Sequence, residues 1–186
     1  MANALSLGRL LLAVPFGWLM LRPDAESAGY AAALFCLAIL SDLLDGPLAR
    51  RRGTVSPLGG TLDHGADFVF VTAGLSAMAW RAVIPWLLPL LVVLAFTQYV
   101  IDSRQIEGRL GLSMSAIGRY NGILYFVPAG VDIAVRLGWA ALAGPTRWIA
   151  WLLVATTLIS MGDRWLARSR RAPGSPGAER SGRSQR

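Results

Sequence analysis

Four aspartates stand where apolar runs give way to a glycine-rich stretch, with Asp42 and Asp45 spaced i, i+3 and Asp63 and Asp67 spaced i, i+4. On a helix either spacing puts both carboxylates on one face. Within lipid an uncompensated carboxylate costs ~3 kcal/mol or more, so something must offset it. If the helices carrying the two pairs are neighbours joined by the short connection from Arg51 to Leu62, the two faces converge. Converging carboxylates repel one another unless cations sit among them, and all-oxygen ligation favours hard ions such as Mg²⁺ or Mn²⁺ over zinc. Two such ions would suit displacement at phosphorus, one stabilising the attacking oxygen and the other the leaving oxygen. The competing reading leaves the aspartates in water at helix ends, with Asp63 and Asp67 favoured near a helix N-terminus.

The elements that must position these residues follow from hydropathy. The chain has 186 residues, 54% of them apolar, with a positive mean hydropathy. Several runs approach the ~20 residues that cross a hydrocarbon core as a helix. The expected fold is all-α, an integral membrane protein of about six transmembrane helices. These are Ala4 to Leu21, Ala28 to Leu44, Phe68 to Trp80, Ala82 to Ile101, Ile117 to Val135 and Trp148 to Leu166. The third is short, and Leu62 to Asp67 can extend it beyond the membrane surface. Arg9 interrupts the first run and no small-residue cleavage site follows, so a retained helix is expected rather than a signal peptide. Residues 1–168 are read as one six-helix catalytic domain. From Ser169 the sequence is Arg, Ser, Gly and Pro, a basic tail expected to stay disordered.

All 18 basic side chains are arginines, and the formal charge is +7. In a soluble protein that would suggest nucleic acid, but here orientation in a membrane and attraction to anionic headgroups explain it. Arg50, Arg51, Arg52, Arg104, Arg109, Arg119 and the tail cluster fall on one side. Only Arg22, Arg81, Arg136 and Arg147 fall on the other, which places both termini in the cytoplasm. Trp80, Trp86, Trp139, Trp148 and Trp151 lie near outer ends, as an interfacial belt requires. Cys36 is the only cysteine, so no intrachain disulfide forms, and packing is its expected role. No glycine-rich nucleotide fingerprint, internal repeat or zinc-ligand pattern is present.

The segment Asp42-Leu-Leu-Asp45-Gly46-Pro-Leu-Ala49-Arg50, followed by Gly59, Asp63 and Asp67 at fixed offsets, resembles the full signature of the CDP-alcohol phosphatidyltransferase family. Its eight fixed identities would coincide by chance about once in 10¹⁰ starting points at average residue frequencies. The resemblance implies that Asp42, Asp45, Asp63 and Asp67 are metal ligands and that Asp67 is also the general base. It implies binding of the CDP-lipid at Gly46, Ala49, Arg50 and Ser56. Glycine lets the nucleotide approach the backbone, and Arg50 pairs with the diphosphate through its planar fork. Pro47 is expected to kink or end the second helix. Gly59 and Gly60, after Pro57, read as a tight turn before the third. Ser6, Arg9, Arg109 and Arg119 are candidates for lipid or acceptor contacts. So are Arg104, Asp163 and Arg164. His64 should point off the face shared by Asp63 and Asp67, in a surface or supporting role.

The implied reaction, part of phospholipid biosynthesis, transfers a phosphatidyl group from CDP-diacylglycerol to an alcohol, with CMP leaving. Size and the Asn3 to Arg9 start resemble bacterial phosphatidylglycerophosphate synthases, which makes glycerol 3-phosphate the first acceptor to consider. Inositol phosphate, serine, choline or another lipid are the others. The stretches Asp63 to Phe68 and Ser113 to Tyr125 depart from the typical pattern. A divalent-cation transporter would hold carboxylates nearer the bilayer midplane and would not need the glycines, Ala49 and Arg50 at fixed offsets. A silent assembly partner would usually lack a ligand, and none is missing. The resemblance further implies the bacterial inner membrane and a homodimer, and the small residues from Ala73 to Ala79 suit close helix approach.

Overall fold

Small residues decide how the first and third helices meet. In a computed structural model the chain is described over residues 2–52, 57–106 and 116–169, with side chains over 6–43, 64–101 and 120–166. Helix α1 (Ala2–Met20) lies along α3 (Pro57–Trp80) and also against α2 (Ala25–Arg52). A methyl group added at Gly17 would stand 3.3 Å from the Ala73 Cβ, and one added at Gly74 would stand 2.7 Å from the Phe16 ring. With those side chains absent, Phe16 stacks on Phe70 at 4.2 Å between ring centroids. Phe35 of α2 and Phe126 of α6 (Phe126–Arg136) extend the aromatic centre, their rings 6.1 Å apart.

The remaining elements close around that centre. Helix α4 (Leu87–Ile106) stacks Phe96 on Phe68 of α3 at 4.1 Å. Helix α5 (Ala116–Leu124) and α6 pack on α7 (Ala143–Ser169), which also contacts α4, and a 3₁₀ turn over Ala140–Leu142 links α6 to α7. All regular structure among the described residues is helical, as expected.

Helix α1 turns apolar residues outward and sets a charge on its inner face. On α1 the inward row includes Ser6, Arg9, Ala13, Phe16 and Met20, with Arg9 only 1% exposed, whereas outward Val14 is 77% exposed. Leu7, Leu11 and Trp18 share that outer face. Apolar side chains turned out and a charge turned in are what hydrocarbon surroundings select. By length and composition two helical stretches among the described residues suit a membrane crossing, Ala25–Leu43 and Ala140–Leu166. The apolar stretches Ser6–Met20 and Leu87–Ile101 are shorter. The five tryptophans expected at outer ends are all exposed.

Several boundaries differ from expectation, each for a local reason. The expected fifth helix is two helices meeting at Tyr125. Pro128 has no N–H to give the Leu124 carbonyl, so the ladder breaks there. Helix α3 begins at Pro57, not Phe68, and takes Gly59 and Gly60 into its first turns. Proline is pre-organised for a first helical position, where a missing N–H costs nothing. Likewise α2 runs past Pro47 to Arg52 rather than ending there. Helix α4 starts five residues later than expected, because Ala82 adopts a left-handed φ of 58° and closes α3. The Val83 amide reaches back to the Met78 carbonyl and the Ala82 amide to Ala79, each at 3.0 Å, the 6→1 and 5→2 bonds of a Schellman cap. Gly138, with φ 111°, closes α6 in the same way. Cys36 is exposed on α2 rather than packed.

Candidate active site

Asp67 sits in the first half of α3 and Asp42 beyond the middle of α2, and α1 brings Arg9 between them. The Arg9 Nη1 pairs with Asp67 Oδ1, and stands 3.5 Å from Asp42 Oδ1. Its Nε donates to Ser41 Oγ at 3.3 Å, and that hydroxyl in turn donates to the Ala38 carbonyl at 2.8 Å. The Arg9 side chain is wholly enclosed, while Asp67 and Asp42 are 24% and 49% exposed. The guanidinium therefore seals the inner wall of the site and the carboxylates form its open side. Ser6, one turn before Arg9, is also buried.

Asp45 lies one turn after Asp42 on α2, and Asp63 one turn before Asp67 on α3, so the backbone register keeps each expected pair on one helical face. The side chains of Asp45, Asp63, Gly46, Ala49, Arg50 and Arg119 fall outside the described ones, and Ser56 and Arg109 lie outside the described residues altogether. Among the described residues no cluster of three potential metal-ligating side chains is gathered. The donors that are described fit a hard cation nonetheless: carboxylate oxygens from two helices, already gathered around a positive group. His64 is exposed and edges the Tyr99 ring of α4 at 6.2 Å, apart from the Arg9 contacts. Asp163 and Arg164 lie near the end of α7, Asp163 exposed and Arg164 half-buried.

The homodimer argument from Ala73 to Ala79 loses its footing. Ala73 meets Gly17 of α1, and Ala77 and Ala79 are buried in the chain's own core.

A second charged cluster, at the far end of the bundle, was not anticipated. Arg81, just past the end of α3, donates to both oxygens of Asp132, at 2.8 and 3.3 Å, and Arg136 Nε donates to the same carboxylate at 3.1 Å. Arg136 also reaches the Arg22 carbonyl at 2.8 Å, and Arg81 the Met20 carbonyl at 3.1 Å. Three helices are thereby tied together where the sequence suggested only outward-facing arginines. The signal that was present is the i, i+4 spacing of Asp132 and Arg136.

Between α4 and α7 an apolar groove of about 530 Å³ is lined by Leu94, Thr97, Gln98, Ile101, Met161 and Trp165, among others. The Tyr99–His64 and Phe96–Phe68 ring contacts set this part of α4 level with Asp67.

A stretch of 89 residues is 42% identical to a protein of Streptomyces coelicolor described as a cardiolipin synthase (CMP-forming), covering 46% of this chain and 41% of that one. The chain thus matches less than half the length of that relative. The sequence pattern described as CDP-alcohol phosphatidyltransferase matches residues 1–159, which take in α1, both aspartate helices and most of α7. With that pattern running through the helices that bring Arg9, Asp42 and Asp67 together, the chain belongs to the CDP-alcohol phosphatidyltransferase family, membrane transferases of phospholipid biosynthesis.

Proposed function

We propose that this chain transfers a phosphatidyl group from CDP-diacylglycerol to an alcohol, releasing CMP, at the aspartate faces of α2 and α3. The observation that carries the reading is the meeting of Asp42 and Asp67, from two helices, at one enclosed guanidinium. Asp67, partly open to the outside, accepts the proton of the acceptor hydroxyl. The acceptor oxygen then forms its bond to the phosphorus bearing diacylglycerol, and the bond from that phosphorus to the CMP oxygen breaks. Asp42, Asp45, Asp63 and Asp67 would hold two ions of Mg²⁺ or Mn²⁺, which when bound would offset the charge of the diphosphate. Arg50 would steady the diphosphate, and Gly46, Ala49 and Ser56 the cytidine side. Arg109 and Arg119 are proposed lipid or acceptor contacts. The rest of the reading is six crossings, both termini cytoplasmic, a homodimer and a basic tail from residue 169 resting on anionic lipid.

The acceptor is proposed to be a lipid alcohol. Cardiolipin carries two phosphatidyl groups on one glycerol, so a CMP-forming synthesis adds the second to phosphatidylglycerol. The relative's description supports that class, and so does an apolar groove at the depth of Asp67. Glycerol 3-phosphate is the rival acceptor.

The test is CMP release from CDP-diacylglycerol by the purified protein with Mn²⁺ or Mg²⁺, offered phosphatidylglycerol, glycerol 3-phosphate, inositol phosphate and serine in turn. Release with phosphatidylglycerol alone supports the lipid acceptor, and release with glycerol 3-phosphate alone replaces it. Asp67→Asn should lose about 10²- to 10⁴-fold in rate, the usual contribution of a general base, while keeping its fold. A wild-type rate in that variant would sink the mechanism.

A further inference from the structure

A fully enclosed guanidinium inside a membrane bundle needs counter-charge, and Arg9 finds it in the residues read above as metal ligands. It pairs with Asp67, lies 3.5 Å from Asp42 and donates to Ser41 at 3.3 Å. We propose that Arg9 is the resident counter-cation of the aspartate site, so that a divalent ion and the guanidinium compete for Asp42 and Asp67. The inference rests on the reading of those aspartates as metal-holding. It gives Arg9 a role distinct from touching lipid or acceptor.

Charge and enclosure carry the argument. Carboxylates brought together from α2 and α3 repel, more so in surroundings of low dielectric, and α1, which packs on both helices, carries the guanidinium that answers them. One guanidinium with donors on several sides can bridge two carboxylates and a hydroxyl at once. Because α1 is locked to α3 through Gly17, Gly74 and Phe16, the Arg9 backbone cannot withdraw, and only the guanidinium can rearrange. An arriving ion therefore meets carboxylates already paired. It gains their charge only to the extent that Arg9 gives it up. Arg9 is thus a positioning residue: it keeps the site assembled between turnovers and sets how tightly metal binds.

Mn²⁺ binding to the purified full chain, read by electron paramagnetic resonance, tests this without turnover. Arg9→Gln should bind Mn²⁺ at least about tenfold more tightly than wild type, because a unit positive charge has left the ion's immediate surroundings. Arg9→Met, which refills the buried space without charge, should do the same, and Arg9→Lys should return towards wild type. Arg147→Gln, an equal charge change at an exposed residue of α7, should leave the affinity unchanged. Saturating Mn²⁺ should also raise the unfolding temperature of Arg9→Gln by more than it raises that of wild type. Wild-type or weaker Mn²⁺ affinity in both neutral variants would overturn the competition while leaving the metal site standing. Variants that stay unfolded at saturating Mn²⁺ would overturn it too. Absence of Mn²⁺ binding by wild type would instead remove the metal reading on which it depends.

Discussion

Replacing Asp132 by alanine should cost more stability than any change on the outward faces of the bundle. The carboxylate and the Arg136 side chain are each 3% exposed, and Arg81 is 15% exposed. Removing one partner of a buried ion pair typically costs ~3–5 kcal/mol, because the other charge is left without compensation. Here two guanidiniums are left, both within reach of the space one carboxylate filled. At a separation of ~6 Å and an effective dielectric of ~20, their repulsion is about 3 kcal/mol. The carbonyls of Arg22 and Met20, at 2.8 and 3.1 Å, stay in place and soften the loss. The expected cost is about 4 kcal/mol, and adding Arg81→Ala to Asp132→Ala should recover at least ~1 kcal/mol of it. Tryptophan fluorescence during SDS-driven unfolding from mild detergent measures both quantities. Mn²⁺ affinity should not change, since Met20 lies ~16 Å along α1 from Arg9. An Asp132→Ala protein within ~1 kcal/mol of wild type would refute the reasoning, as would a double variant no better than the sum of the single ones.

Two further outcomes concern helix ends. Ala82→Gly should stabilise the protein by about 1 kcal/mol in the same unfolding assay, because glycine takes the left-handed φ of 58° without the steric cost that a Cβ imposes; a loss of stability would contradict the assignment of that turn. Asp24 caps α2 by accepting the Ser27 amide at 2.7 Å, and the Ser27 amide and hydroxyl hold its carboxyl below the ordinary carboxylate range. A carboxyl whose folded pKa is lowered contributes stability above its unfolded pKa and loses it as pH falls through the folded one. Asp24→Ala should therefore melt lower than wild type near neutrality and converge with it in acid, and a gap that persists undiminished at about pH 2 would count against the cap.

What the sequence made legible was local, and what it hid was pairing. The i, i+3 and i, i+4 aspartates needed only helical register, which α2 and α3 provide. Apolar runs located the helices, yet Pro128 inside one of them already announced the break between α5 and α6. Pro57 marked a helix start that hydropathy missed, because the first turns of α3 hold Gly59, Gly60 and Asp63 rather than apolar residues. The partner of Arg9 was beyond local reasoning, since its pairing with Asp67 spans 58 positions and depends on the Gly17 and Gly74 contacts that seat α1. The same seating explains why the alanines of α3 were misread. Small residues announce close approach but not which helix approaches.

The two charged clusters differ in stoichiometry, and that difference separates a brace from a site. At the far end two arginines share Asp132, and the surplus positive charge is taken up by backbone carbonyls of Leu19, Met20 and Arg22 at the end of α1. Each of these side chains has partners within the chain, so the cluster braces the helices together. Near Arg9 the balance is reversed. One enclosed cation faces two carboxylates, with Asp45 and Asp63 on the same helical faces adding to the acidic excess, and Asp42 half open to the outside. On the reading proposed above, bound hard cations would join Arg9 in offsetting these carboxylates. The proposed reading would therefore put hard cations and a diphosphate at the aspartate end of the bundle, opposite the Asp132 cluster. On that reading the difference in charge balance between the two ends, more than any single residue, would confine phosphoryl chemistry to one end of the bundle.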